Sequence, residues 1–214
     1  MREAGTMTPP TAARVRRVFA TAAMALVLLY VLIDVVLQFL PPHYSVLSDA
    51  ESTLAVGHFG AAMNLNFVAR AVMSGCVVVA VALTGPASRL RTAGSLLLAL
   101  AGLCSAALVF FPTDVNPSGE FGMTPRTTVG LVHVVFATSG FLAVLLAMVL
   151  LTEWIGRPRA IQGFFVVALV GLGLLAASLA AFAQVVGLTE RLCLVGILGW
   201  TFALCWRLRG LPPS

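Results

Sequence analysis

The chain has 214 residues, 60% of them hydrophobic and 10% charged, with a mean hydropathy of +1.02. A soluble domain carries about 25% charged residues, so this chain has too little charge to cover a globular surface, and its length suits one compact helical bundle. The net charge of +5 comes from 13 arginines and no lysine; they sit in short segments beside apolar runs, where topology wants them, which points to the lipid bilayer and away from nucleic acid as the partner.

Residues 1–17 form a basic leader with Arg14, Arg16 and Arg17, expected to be disordered. The apolar run that follows, about 18–40, exceeds the 7–15 residues of a signal core and has no A-x-A site after it, so it reads as an uncleaved first transmembrane helix stopped by Pro41-Pro42. Ser48-Asp49-Ala50-Glu51 fits the S-x-x-E capping box. The second helix is therefore expected to start near Asp49 and to enter the membrane at His58, with its span at about 58–84. Gly85-Pro86 ends it. The remaining helices are predicted at about 92–111, 127–154, 160–186 and 190–206, separated by Pro112, a Pro- and Gly-containing loop, Arg157-Pro158-Arg159 and a turn at 187–191. Residues 208–214 are a short polar tail. The fold class is all-α: a single domain of six transmembrane helices over 18–207.

Six helices put both termini on one side. The termini with the second and fourth loops hold ten arginines, while the other face holds Arg126 and Arg191, and Arg70 stays inside the membrane. The positive-inside rule then predicts a multi-pass protein of the cytoplasmic membrane with both termini in the cytoplasm. Trp154 and Trp206 fall at the inner boundary, as interface anchors should. Asp49, Glu51, Asp114, Glu120 and Glu190 fall on the outer face. They read either as ordinary loop and cap residues or as an acidic vestibule that concentrates cations. Gly102, Ala106, Gly171, Gly173, Ala176, Ala177 and Ala180 are small residues suited to close helix packing. Cys76, Cys104, Cys193 and Cys205 lie inside apolar segments without metal-ligand spacing, and are read as small hydrophobes.

The informative residues are polar ones inside apolar segments, since a charge at the bilayer centre costs about 2.5–3.5 kcal/mol even on lenient scales. Asp34 lies near the outer end of the first helix. Arg70 lies about 18 Å below His58 along the second, with Asn66 one turn above it. This predicts a buried Asp34–Arg70 pair bridged by Asn66, with snorkelling of Arg70 toward the inner headgroups as the alternative. His58, Asp114 and His133 fall at similar depth on three helices. They fit three readings: a lock that holds the bundle, a relay for protons or solute, or a divalent-metal site with an open position. Three scattered residues do not make a spaced metal motif. The histidines are His43, His58 and His133, too few for two haems. No cofactor is expected.

Tyr44-Ser45 and the acidic, Ser-rich stretch after it, Gly60, Asn64 and Phe67 in the second helix, Phe111-Pro112-Thr113-Asp114 at the end of the third, and Gly130-Leu131-Val132-His133 in the fourth make up a polar skeleton. It resembles the bacterial and archaeal integral membrane proteins grouped as the domain-of-unknown-function 998 family, over about residues 20–207. The Phe-Pro-x-Asp with a downstream Gly-x-x-His is the most specific part. The resemblance implies a fold and a location but no activity, and it links Asp114 with His133. The expected function is that of a non-enzymatic membrane protein with an outward-facing polar pocket, formed from Asp34, His58, Asn66, Arg70, Asp114 and His133, that handles a small solute, cation or lipid head group. The alternatives are a membrane-embedded, metal-dependent hydrolase using Asp114, His133 and His58, and a structural or partner-binding subunit. Homo-oligomerisation stays open.

Overall fold

The computed structural model describes residues 9–41, 44–117 and 120–212; His43 lies outside them. Six helices form: α1 Pro9–Gln38, α2 Gly60–Ala82, α3 Arg89–Leu108, α4 Thr128–Trp154, α5 Arg159–Ala181 and α6 Val186–Arg209. Among the described residues no strand is present, and all six helices are long and apolar enough to cross a membrane. Short 3-10 turns at Glu51–Ala55 and Ala183–Val185 lie in two of the connections.

The starts of α3 and α4 follow from their caps. The Ser88 hydroxyl accepts from the Arg91 N–H at 3.2 Å, and the Thr127 hydroxyl from the Gly130 N–H at 2.9 Å. α1 begins at Pro9, inside the stretch expected to be a disordered leader. Proline suits a first helical turn, and the Ala- and Arg-rich sequence after it is a good helix former. Arg16 then ties this turn down: it is 1% exposed, and its guanidinium donates to the carbonyls of Leu211 and Pro212. Both described ends of the chain therefore meet at one end of the bundle.

The start of α2 and the hairpin between α5 and α6 also differ from expectation, for physical reasons. The Ser48–Glu51 capping box does not form. The Glu51 side chain turns inward to the Tyr30 hydroxyl, and the chain makes only a 3-10 turn before breaking at Gly57, whose φ of 105° belongs to the left-handed region. α2 starts after that break. At the other hairpin, Gly187 lies inside α6 and is not the turn. A Cβ there would sit 2.4 Å from the Asp49 carbonyl oxygen, so glycine lets the helix press against the first loop.

The helices pack in the order α4, α3, α2, α1, α6, α5, each against the next. The arc does not close, because α4 and α5, consecutive in sequence, touch little. The core holds Tyr30, Met63, Met148, Leu151, Trp200 and Leu204, with the Trp200 indole N–H donating to the Thr152 hydroxyl at 2.9 Å. Leu28, Leu96, Leu103 and Val166 stay exposed on the outside, as a lipid-facing surface requires. The four cysteines are free and buried. Of the small residues, Gly102 meets Ser74 and Gly171 meets the backbone of Cys193, whereas Gly173 faces open space and Ala176, Ala177 and Ala180 are exposed.

Candidate functional site

The loop between α3 and α4 is fastened to the first turns of α4 by two side chains. One carboxylate oxygen of Asp114 accepts from the backbone N–H groups of Arg126 at 2.7 Å and Thr127 at 2.9 Å, and the other accepts from the Thr127 hydroxyl at 2.9 Å. Those backbone donors hold the Asp114 carboxyl below the usual carboxylate range. The Thr127 hydroxyl in turn caps α4 through the Gly130 N–H. A Cβ at Gly130 would sit 2.0 Å from an Asp114 oxygen, so the carboxylate occupies the space that glycine leaves.

One turn further, His133 Nδ1–H donates to the Phe111 carbonyl at 2.6 Å. A carbonyl only accepts, so Nδ1 carries the proton, and in the neutral ring Nε2 is an acceptor. The ring is 2% exposed and meets Phe67 edge to face at 6.5 Å. Its Nε2 is buried and without a hydrogen-bond partner.

His133 lines a cavity of about 260 Å³. The first loop contributes Glu51 and Ser52, and the α3–α4 loop contributes Thr113 and Met123. Further walls come from Phe67 and Arg70 of α2, from Phe141 and Leu142 of α4, from Leu175 and Leu179 of α5, and from Glu190 of α6. Where α4 and α5 part, the rim residues Thr138, Leu142, Ala176 and Leu179 are exposed on the apolar outer surface. The cavity therefore has a mainly apolar wall in which a few polar side chains are set, and an opening on the apolar outer surface.

The charged interior comes from three helices and the first loop. Arg70 is partly exposed, its guanidinium 6.0 Å from the centre of the Phe141 ring, and it faces the Tyr30 hydroxyl and the carboxyl groups of Glu51 and Glu190. Glu51 accepts from the Tyr30 hydroxyl at 2.8 Å, and its own N–H donates to the Glu190 carboxylate at 2.7 Å. Burial, with Asp34 and Glu190 close by, pushes the Glu51 carboxyl up to about 8. Ser52 Oγ is buried and, like His133 Nε2, has no partner. A second, smaller cavity of about 40 Å³ continues on the far side of Arg70 and Phe141.

Of the residues chosen from sequence, the structure brings Arg70 and His133 to the cavity. Asn66 is fully buried beside it, donating to the Tyr30 carbonyl at 3.1 Å. Asp34 accepts from Gln38 on its own helix at 3.1 Å, and no carboxylate among the described residues comes within ion-pair distance of Arg70. The expected Asp34–Arg70 contact is thus not made, because Glu51 and Tyr30 stand where Asp34 was expected. Asp114 ends as a clasp on the loop. His58 is exposed and packs edge-on against Phe59 at 5.0 Å. Among the described residues His58, Asp114 and His133 form no three-ligand group, and no other set of His, Cys, Asp and Glu does.

Sequence reasoning missed Tyr30, Glu51, Ser52 and Glu190. Glu51 was assigned to a cap and Glu190 to a turn. Had Gly187 been read as a contact glycine, Glu190 would have fallen one turn inside an apolar helix and stood out by the same rule that picked out Arg70.

Chemically, the cavity offers a guanidinium fork, a fixed acceptor nitrogen, a hydroxyl and two carboxyl groups above an apolar opening. No curated protein and no solved structure matches the chain. The family model described as "Protein of unknown function (DUF998)" matches residues 11–207, which reaches into all six helices and takes in both fastening residues of the α3–α4 loop, and the chain belongs to that family.

Proposed function

We propose that this protein binds a small amphiphilic molecule, with the molecule's polar end inside the cavity and its apolar part leaving between α4 and α5. The observation that carries this reading is the unpartnered Nε2 of His133. It is buried at the wall of a cavity that is also lined by Arg70, Glu51 and Glu190 and that opens among exposed leucines. Burying polar groups without partners costs about 1–3 kcal/mol each, and a ligand's polar end offsets that cost. The ten-to-two arginine imbalance supports a cytoplasmic-membrane location with both termini inside, which turns the cavity toward the outer leaflet.

Saturable retention of a fluorescent single-chain amphiphile by the detergent-purified protein tests the reading. Filling the rim with Ala176→Trp should abolish retention. Gly173→Trp, at a position with open space around it, should leave it unchanged. Equal loss in both variants, or no saturable retention by the unmodified protein, sinks the proposal.

A further inference from the structure

The tautomer of His133 restricts the ligand further. With Nδ1–H committed to the Phe111 carbonyl, the buried Nε2 of this cavity-lining residue accepts and does not donate, so a group that comes to meet it must carry an O–H or N–H. Ser52 Oγ, also buried and unpartnered, can serve the same head group as donor or acceptor. Arg70 supplies the opposite need. Its fork has no carboxylate within ion-pair distance among the described residues, and a guanidinium of this kind fits two oxygens of a phosphate. Below the opening, Leu142, Leu146 and Val149 are exposed at helical spacing along α4, and Leu169 is exposed on α5. These leave an apolar groove continuous with the cavity mouth. A volume of about 260 Å³ accommodates a phosphate with a small polyol, not a whole lipid.

We infer that the cavity is a head-group site for a phospholipid bearing a hydroxylated head, such as a phosphoglycerol: phosphate at Arg70, a head-group hydroxyl donating to His133 Nε2, and acyl chains in the groove between α4 and α5. This rests on the amphiphile reading above and names its ligand class.

Native mass spectrometry of the full-length protein in detergent, titrated with short-chain phosphatidylglycerol, phosphatidylcholine, diacylglycerol and free glycerol phosphate, tests it. Phosphatidylglycerol should bind about tenfold more tightly than phosphatidylcholine, whose head has no donor, since one hydrogen bond in a buried site is worth about that factor. His133→Phe should remove the preference. Ser52→Ala, which breaks no contact present in the structure, should reduce it if His133→Phe fails to fold. Arg70→Gln should weaken both phospholipids and leave diacylglycerol unaffected. Equal binding of phosphatidylglycerol and phosphatidylcholine overturns the head-group inference but leaves the amphiphile reading standing. Free glycerol phosphate binding as tightly as the lipid overturns the lipid source. Absence of binding by any chain-bearing ligand removes both readings.

Discussion

Asp114 and Gly130 compete for the same few ångströms, and the fold resolves this by giving residue 130 no side chain. Gly130→Ala should therefore cost about 1–3 kcal/mol, the usual range for overpacking, read as a lower unfolding midpoint in detergent. In an Asp114→Ala background the same change should cost much less, because the oxygen it strikes is gone. Additive effects in that double-mutant cycle would refute the clash. Glu51 gives a pH signature. Its carboxyl rises from 4.5 to about 8 on burial, so below about pH 4.5 it is neutral in both the folded and unfolded chain and its contribution to stability is complete. Between those values the unfolded chain releases the proton first, and the contribution is gone once pH passes about 8. Tyr30, Asp34, Arg70 and Glu190 are the groups that face it. The unfolding midpoint should fall from about pH 5 to about pH 9, and Glu51→Gln, which keeps an acceptor for Tyr30, should flatten that slope. At this scale the sequence was half legible. A histidine and an arginine in apolar runs announce themselves by their desolvation cost. Which carboxylate meets the arginine depends on where a loop folds back, and no local pattern records that.

Among the elements, α5 and α6 approach most closely through two glycines. A Cβ on Gly171 would lie 2.4 Å from the Cys193 nitrogen, and one on Gly196 would lie 2.3 Å from the Ala168 nitrogen. Backbone cannot step aside as a side chain can. Gly196→Ala should cost about 3 kcal/mol or more, at the upper end of the overpacking range. Gly173→Ala, in open space on the same helix pair, should be neutral or stabilising, given alanine's advantage of up to about 1 kcal/mol in helices. Thermal unfolding of the two variants side by side checks this contrast. The existence and number of helices were readable from apolar runs of membrane-spanning length. Helix ends were less so, because capping and breaking residues have more than one use. Glu51 left its cap for Tyr30, Gly187 served contact and not a turn, and Arg16 recruited the leader into α1 by reaching the carbonyls near the opposite terminus.

For the molecule as a whole, the arginine distribution predicts sidedness. A membrane-impermeant thiol reagent applied to intact cells should label Glu120→Cys in the α3–α4 loop and spare Arg157→Cys between α4 and α5 until the cells are permeabilised. The native cysteines are buried and free, so they leave this readout clean. The reverse pattern would invert the topology. What composition could not supply was the order of the helices around the bundle, since every apolar face looks alike to lipid. The gap between α4 and α5 appears only in three dimensions. That gap has a mechanical consequence. Residues 155–158 alone join the two helices, and five Cα steps span at most about 18 Å. The arc therefore behaves as a clamp with a short strap across one end of its jaws. The strap limits how far α4 and α5 can separate at that end, while no connection joins the two helices directly at the end that holds His133 and Glu190, which leaves that end the freer to widen.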